Sequence, residues 1–351
     1  MRSTLFLPER MRDRRLWLCC GFLVVTAIIA ACGKPPVARS EPFYRGMTIS
    51  CQTGGEEWAM PQMASTLDEV KKMGVNAIEI HPYARIQNDG SLVWDHAEDP
   101  DYVARPLDWA RERGMRVLLV PHIAYWGTKF QWRGEIQFAD QAGWDRFFGD
   151  YQAWIVHMAK IAEKHHAAIF CIGLEYGPTQ KFDARWRQII AAIRAVYHGK
   201  LTYGANWDEI GNVPWWDDLD YIGALAYFPL TKKPNPSEDD LRQGWQQWIA
   251  KLQTLSHRYG KPVLFTEIGY NESALCAAQP WDFHDNGGDQ ADRIQARCIR
   301  VATELESSFP ELAGMFWWKW FPKIGDPEPE TFDLRKPTAR AALEASWGAA
   351  K

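Results

Sequence analysis

The 351 residues suffice for one large domain or two small ones. Apolar side chains make up 46% and charged ones 24%, which excludes a disordered chain, a collagen, a coiled coil and a polytopic membrane protein. A formal net charge of −4 gives no electrostatic case for nucleic acid, while 19 Trp supply many apolar plates, each with one hydrogen-bond donor.

Residues 1–15 hold five Arg against Glu9 and Asp13, and Leu16 to Ala31 are almost wholly apolar. This is the charged and then apolar pattern of an export signal, too short for a membrane span. It ends in Ile29-Ala30-Ala31-Cys32, and small residues before a Cys resemble a bacterial lipobox. The resemblance implies cleavage ahead of Cys32, lipidation of its thiol and attachment to a membrane, outer or periplasm-facing, through that lipid alone. Residues 32–43 are then the lipidated Cys and a Pro-bearing tether, of which 33–42 would reach roughly 30 Å. The mature chain carries −7, which disfavours a basic lipid-binding surface. Cys276 and Cys298 lie around one long loop, where a disulfide and two buried thiols both remain open. No Cys or His cluster has zinc spacing, and neither a metal nor a cofactor is expected.

From Tyr44 onward, short apolar runs alternate with helical stretches. The runs are 46–51, 76–83, 116–124, 168–175, 201–207, 221–228, 262–270 and 313–320. Most are continuously apolar, as in parallel strands buried on both faces. Between them, Thr66 to Glu69 has capping-box spacing and Gly74 stands where a helix should end. Residues 139–166, 184–197, 290–308 and 338–347 read as helices, and Ser237 opens another that Gly260 closes. The stretch 208–218 is short and Pro-interrupted, with Asp208 suited to a helix N-cap. Eight such units in one domain over residues 44–351 predict an α/β fold, the (β/α)8 TIM barrel, and a monomer. No Gly-x-Gly-x-x-Gly follows the first strand, so a dinucleotide fold is not indicated.

In such a barrel the active site lies at the C-terminal strand ends. Those ends carry His81, His122, Glu175, Asn206, Tyr227, Glu267, Trp318 and Trp320, with Trp58, Trp126 and Trp207 in adjoining loops. Glu175 and Glu267 each end an apolar run, where an unpaired charge is expensive. Simple alternation puts Glu175 on the same face as Ile169, Cys171 and Gly173, aimed at the barrel mouth. Two carboxyl groups across a mouth suit glycoside hydrolysis, one as proton donor and one as nucleophile or base. His and Trp around them suit an oligo- or polysaccharide, the Trp as stacking plates. Glu79 shares the parity of His81 and reads as a buried supporting group.

Several segments carry a family resemblance: Gly46-Met47-Thr48-Ile49-Ser50, Ile172-Gly173-Leu174-Glu175, Phe265-Thr266-Glu267-Ile268-Gly269-Tyr270, Gly314-Met315-Phe316-Trp317-Trp318-Lys319-Trp320 and Asp333-Leu334-Arg335-Lys336-Pro337. In order and placement they resemble the clan A glycoside hydrolases, most of all glycoside hydrolase family 113. The resemblance implies a retaining β-1,4-mannanase with Glu175 as general acid and base, Glu267 as nucleophile and Tyr227 bonded to that nucleophile. It also implies a Trp at the end of the eighth strand, Trp318 before Trp320, flooring the sugar beside the cleaved bond. Many clan members carry Asn directly before the acid/base, where this chain has Leu174, leaving His122 and Asn206 as candidates to read the sugar 2-hydroxyl. Two other readings compete: a surface glycan-binding lipoprotein without turnover, and a metal-dependent barrel hydrolase. The second wants an early His-x-His, and no His precedes His81.

Overall fold

A computed structural model describes residues 37, 39, 41–282, 287–324 and 331–348. The export signal and Cys32 lie outside the described residues. Eight parallel strands close into a barrel: β1 (Tyr44–Ile49), β2 (Ala77–Ile80), β3 (Arg116–Leu119), β4 (Ile169–Leu174), β5 (Lys200–Asn206), β6 (Ile222–Leu225), β7 (Val263–Ile268) and β8 (Leu312–Trp320). Neighbours in the barrel are neighbours in sequence, and β8 returns to β1 with Gly46 opposite Phe316. Every residue of β2, β4, β6 and β7 is buried, which accounts for their unbroken apolar runs. The fold is the (β/α)8 barrel expected.

Helices cover the outside, and their ends follow local chemistry. Ser237 caps the helix Glu238–Tyr259 through a reciprocal capping box with Asp240, and Gly260 ends it at φ 66°. Asp140 caps Gln141–Lys164 by accepting from the Gly143 amide. The expected box at Thr66 does not form. Pro61, with its φ already preset, starts that helix earlier, at Pro61–Lys72, and the buried Thr66 hydroxyl donates to the Gln62 carbonyl instead. Between β5 and β6 the chain makes only the short 3-10 turns Ile210–Asn212 and Trp216–Asp218, so Asp208 caps no helix. Pro214 lacks an amide donor and holds Val213 extended, which prevents longer helical continuation.

Two prolines shape the barrel mouth. The expected runs 76–83 and 116–124 each break, at Pro82 and Pro121. Beyond the breaks, Tyr83–Ile86 pairs in parallel with His122–Ala124 and antiparallel with Leu92–Val93, forming a small second sheet. His81 and His122 stand where the barrel strands give way to this sheet.

Candidate active site

Glu175 does not reach the mouth by strand alternation. The pairing of β4 with β5 slips between Cys171 and Leu174, and Glu175 follows the strand at φ 61°. Left-handed backbone at a non-glycine residue costs energy that the surroundings must hold in place. Here the Glu175 amide still donates to the Gly204 carbonyl at 2.9 Å, and the Gly177 amide donates to the Glu175 carbonyl at 3.0 Å. Gly173 is required nearby, because a Cβ there would lie 2.8 Å from the Tyr151 hydroxyl.

Glu267 stands one residue before the end of β7, only 7% exposed. The Tyr227 hydroxyl donates to its Oε2 at 3.0 Å, and His122 Nε2 lies 4.0 Å from its Oε1. Burial, and next the negative charge of Glu175, push the Glu267 carboxyl up to about 8, against the opposing pull of Arg133. Glu79, fully buried beneath, accepts from the Thr48 hydroxyl at 3.1 Å and is held well above the usual carboxylate range, first by burial and then by Glu267.

Arg133 completes the site and was not singled out in the sequence. It opens the short turn Arg133–Glu135 in the loop after His122–Ala124. Its Nη1 donates to Glu175 Oε2 at 2.7 Å, its Nη2 to His122 Nδ1 at 3.0 Å, and its Nε to the Ile123 carbonyl at 2.9 Å. A guanidinium has donors only, so His122 Nδ1 must accept and its Nε2 must carry the ring proton. Burial, with Arg133 next, keeps His122 neutral by lowering its pKa well below the ordinary value.

That tautomer decides how to read Glu79, His122 and Glu267, whose ligand-type atoms lie within 4.8 Å of one another. A metal needs a bare ring nitrogen, and the one facing both carboxyl groups bears hydrogen. The group is therefore suited to hydrogen-bond donation toward Glu267 or a sugar hydroxyl rather than to holding a cation.

Trp318 lines the same space. Its ring centroid is 5.3 Å from His81 and 6.2 Å from His122, and the two imidazoles stack at 4.7 Å. His81 bonds the Ser50 hydroxyl through Nε2 at 3.2 Å and is lowered to about 3, chiefly by burial. Tyr83 lies edge-on to His122 and leads out to Trp126, which is 57% exposed.

Two expected sugar contacts, Trp320 and Trp58, are buried away from the mouth. Trp320 is fully buried, with the Arg340 guanidinium 5.6 Å from its ring. The cause is a register slip, with Met47 opposite Trp317 but Ile49 opposite Trp320, so alternation from Trp318 does not carry through. Trp58 is fully buried and supports His81 edge-on at 5.2 Å. Trp207 turns toward Trp281 and Trp248, at 5.4 Å from each, into a separate apolar cleft. Asn206 ends β5, half-buried, and its carbonyl accepts from the Glu209 amide at 3.0 Å. Cys276 and Cys298 are both buried free thiols.

The comparisons with known proteins agree with this architecture. The chain resembles the GH113 β-mannanase AaManA from Alicyclobacillus acidocaldarius, solved in complex with ManMIm, with a TM-score of 0.76 at 23% identity over 90% of this chain and 99% of that one. A second GH113 β-1,4-mannanase structure gives 0.77 at 22% identity over 88% and 100%. A GH5_18 protein from Bifidobacterium longum gives 0.58 at 15% identity over 87% and 79%. At these identities the likeness establishes the fold. No curated protein matches the chain. The sequence profile of Glycoside Hydrolase Family 113 matches residues 47–332. Because that match spans most of its length, the chain belongs to glycoside hydrolase family 113 and is a glycoside hydrolase.

Proposed function

We propose that the protein cleaves β-1,4-mannan with retention of anomeric configuration, through Glu267 as nucleophile and Glu175 as acid and then base. The observation that carries this reading is the setting of Glu267. It is buried at the mouth, bonded by Tyr227 and close to the Nε2–H of His122, with Glu175 near enough for its charge to raise the Glu267 carboxyl. Two carboxyl groups facing one mouth supply the acid and the nucleophile that glycosylation needs.

In the first step Glu175 gives its proton to the glycosidic oxygen while Glu267 Oε attacks the anomeric carbon. The bond to the leaving sugar breaks and a glycosyl ester forms on Glu267. Tyr227 steadies the attacking carboxylate. In the second step Glu175, now an anion, takes a proton from water, the water oxygen bonds the anomeric carbon, and Glu267 leaves. Trp318 presents an apolar face to the sugar, backed by the buried His81 and His122 rings.

Mannan is supported by the two GH113 mannanases of the same fold. The test is release of reducing ends from unbranched β-1,4-mannan, with cello-oligosaccharides and xylan beside it. Release from mannan and not from the others is the expected result. Release from another glycan alone discards mannan and keeps the two-carboxyl chemistry.

A further inference from the structure

We propose that Arg133 is the positioning residue of the acid/base: it fixes the Glu175 carboxyl by a charged hydrogen bond and sets the proton affinity of the carboxyl pair. The proposal rests on the assignment of Glu175 and Glu267 made above.

The geometry is specific. Three sides of the guanidinium are committed, to the Ile123 carbonyl, to His122 Nδ1 and to Glu175 Oε2. The first two contacts tie Arg133 to one strand of the small sheet, while the third reaches across to the end of β4. The Arg133 and Glu175 side chains are only 16% and 21% exposed, so water screens the pair poorly. A single Nη1 contact at 2.7 Å leaves Glu175 Oε1 free of this residue, and so able to face the glycosidic oxygen.

The chemistry follows from where charge develops. Glu175 starts the first step with a proton and ends it as an anion. A cation bonded to it stabilises the anion that forms, and it opposes protonation of Glu175 beforehand. Arg133 therefore favours proton release to the leaving group and moves the working pH range of the pair downward. The remaining neighbours are spread over other elements. Glu267 and Glu79 bring carboxyl groups from β7 and β2, Glu209 brings one from the loop after β5, and Lys319 on β8 is a second cation. His81, His122, Tyr83, Tyr176 and Tyr227 complete the surroundings, the two imidazoles being neutral at pH 7. Arg133 is bonded directly to Glu175.

The test compares wild type, Arg133→Gln and Arg133→Lys, each checked for folding by circular dichroism and thermal midpoint. The kcat/KM profile is measured against pH, with aryl glycosides of good and poor leaving groups. The Glu175 carboxyl is also followed directly by carbon-13 NMR titration, assigned with Glu175→Gln. In Arg133→Gln both limbs of the profile and the Glu175 titration are expected to move to higher pH by about one unit, the size of effect a bonded Arg has on a carboxylate. The loss should be larger for the poor leaving group, which depends on the acid. Arg133→Lys should restore most of the limb positions. Unchanged limbs and an unchanged Glu175 titration in a folded Arg133→Gln, with equal losses for both leaving groups, would overturn the proposal. If the wild type cleaves no glycan, the NMR titration alone decides on Arg133, and the failure belongs to the functional reading.

Discussion

Glu267→Ala is expected to lose turnover on mannan by about 10⁴-fold or more, since no other group in the site can form the covalent ester. Tyr227 is a protonated phenol, raised by burial and by Glu267, and Glu79 lies fully buried beneath Glu267, out of reach of a substrate, so neither substitutes for the missing nucleophile. The truncation leaves Glu175 and Arg133 in place, so protonation of the leaving group survives. A small anion such as azide, placed in the vacated space with an activated aryl mannoside, should then attack from the Glu267 side. It should restore part of the rate and yield the glycosyl azide of inverted configuration. Full activity in Glu267→Ala, or azide product of retained configuration, would remove Glu267 from the nucleophile's role.

Glu175→Ala should behave differently in two respects. On mannan, whose leaving group is a sugar hydroxyl, the loss should be about 10²–10⁴-fold, the range that general acid–base catalysis supplies. On a dinitrophenyl glycoside, which leaves without a proton, the first step should stay fast and the glycosyl ester should accumulate, seen as a burst of phenol. Azide should then replace water on the face opposite Glu267 and give a product of retained configuration. The variant also frees Arg133 Nη1, leaving a buried cation without its carboxylate. Some loss of thermal stability should therefore accompany the kinetic change. Equal losses on both substrates would contradict the assignment of Glu175 as acid.

The barrel was legible because its strands are buried on both faces and so spell continuous apolar runs, interrupted by capping residues such as Ser237 and Gly260. Glu175 and Glu267 were legible for the same reason, as carboxylates that end such runs. What alternation could not supply was how Glu175 arrives at the mouth. That depends on a register slip and on left-handed backbone, neither of which has a hydrophobic period. The same limit separated Trp318 from Trp320: a slip against β1 sends one to the mouth and the other into the core.

Arg133 was missed for a different reason. It lies in an aperiodic loop, 42 residues before the carboxylate it binds, and a lone loop Arg is ordinarily a solvated charge. Its position at the catalytic end, in the loop following the third strand, was the only local signal. The stacking role considered for Trp58 is not met, because exposure in a loop cannot be read from sequence, and Trp58 packs fully buried behind His81. Trp207 is half-buried, its ring 5.4 Å from both Trp248 and Trp281.

The most direct test of double displacement is the configuration of the first sugar released. Proton NMR of the anomeric signals, recorded in the first minutes of mannan digestion and before mutarotation, distinguishes the two outcomes. Initial appearance of the β-anomer is the result predicted for Glu267 as nucleophile and Glu175 as acid and base. Initial appearance of the α-anomer would mean a single displacement by water, and would contradict the covalent role of Glu267 outright.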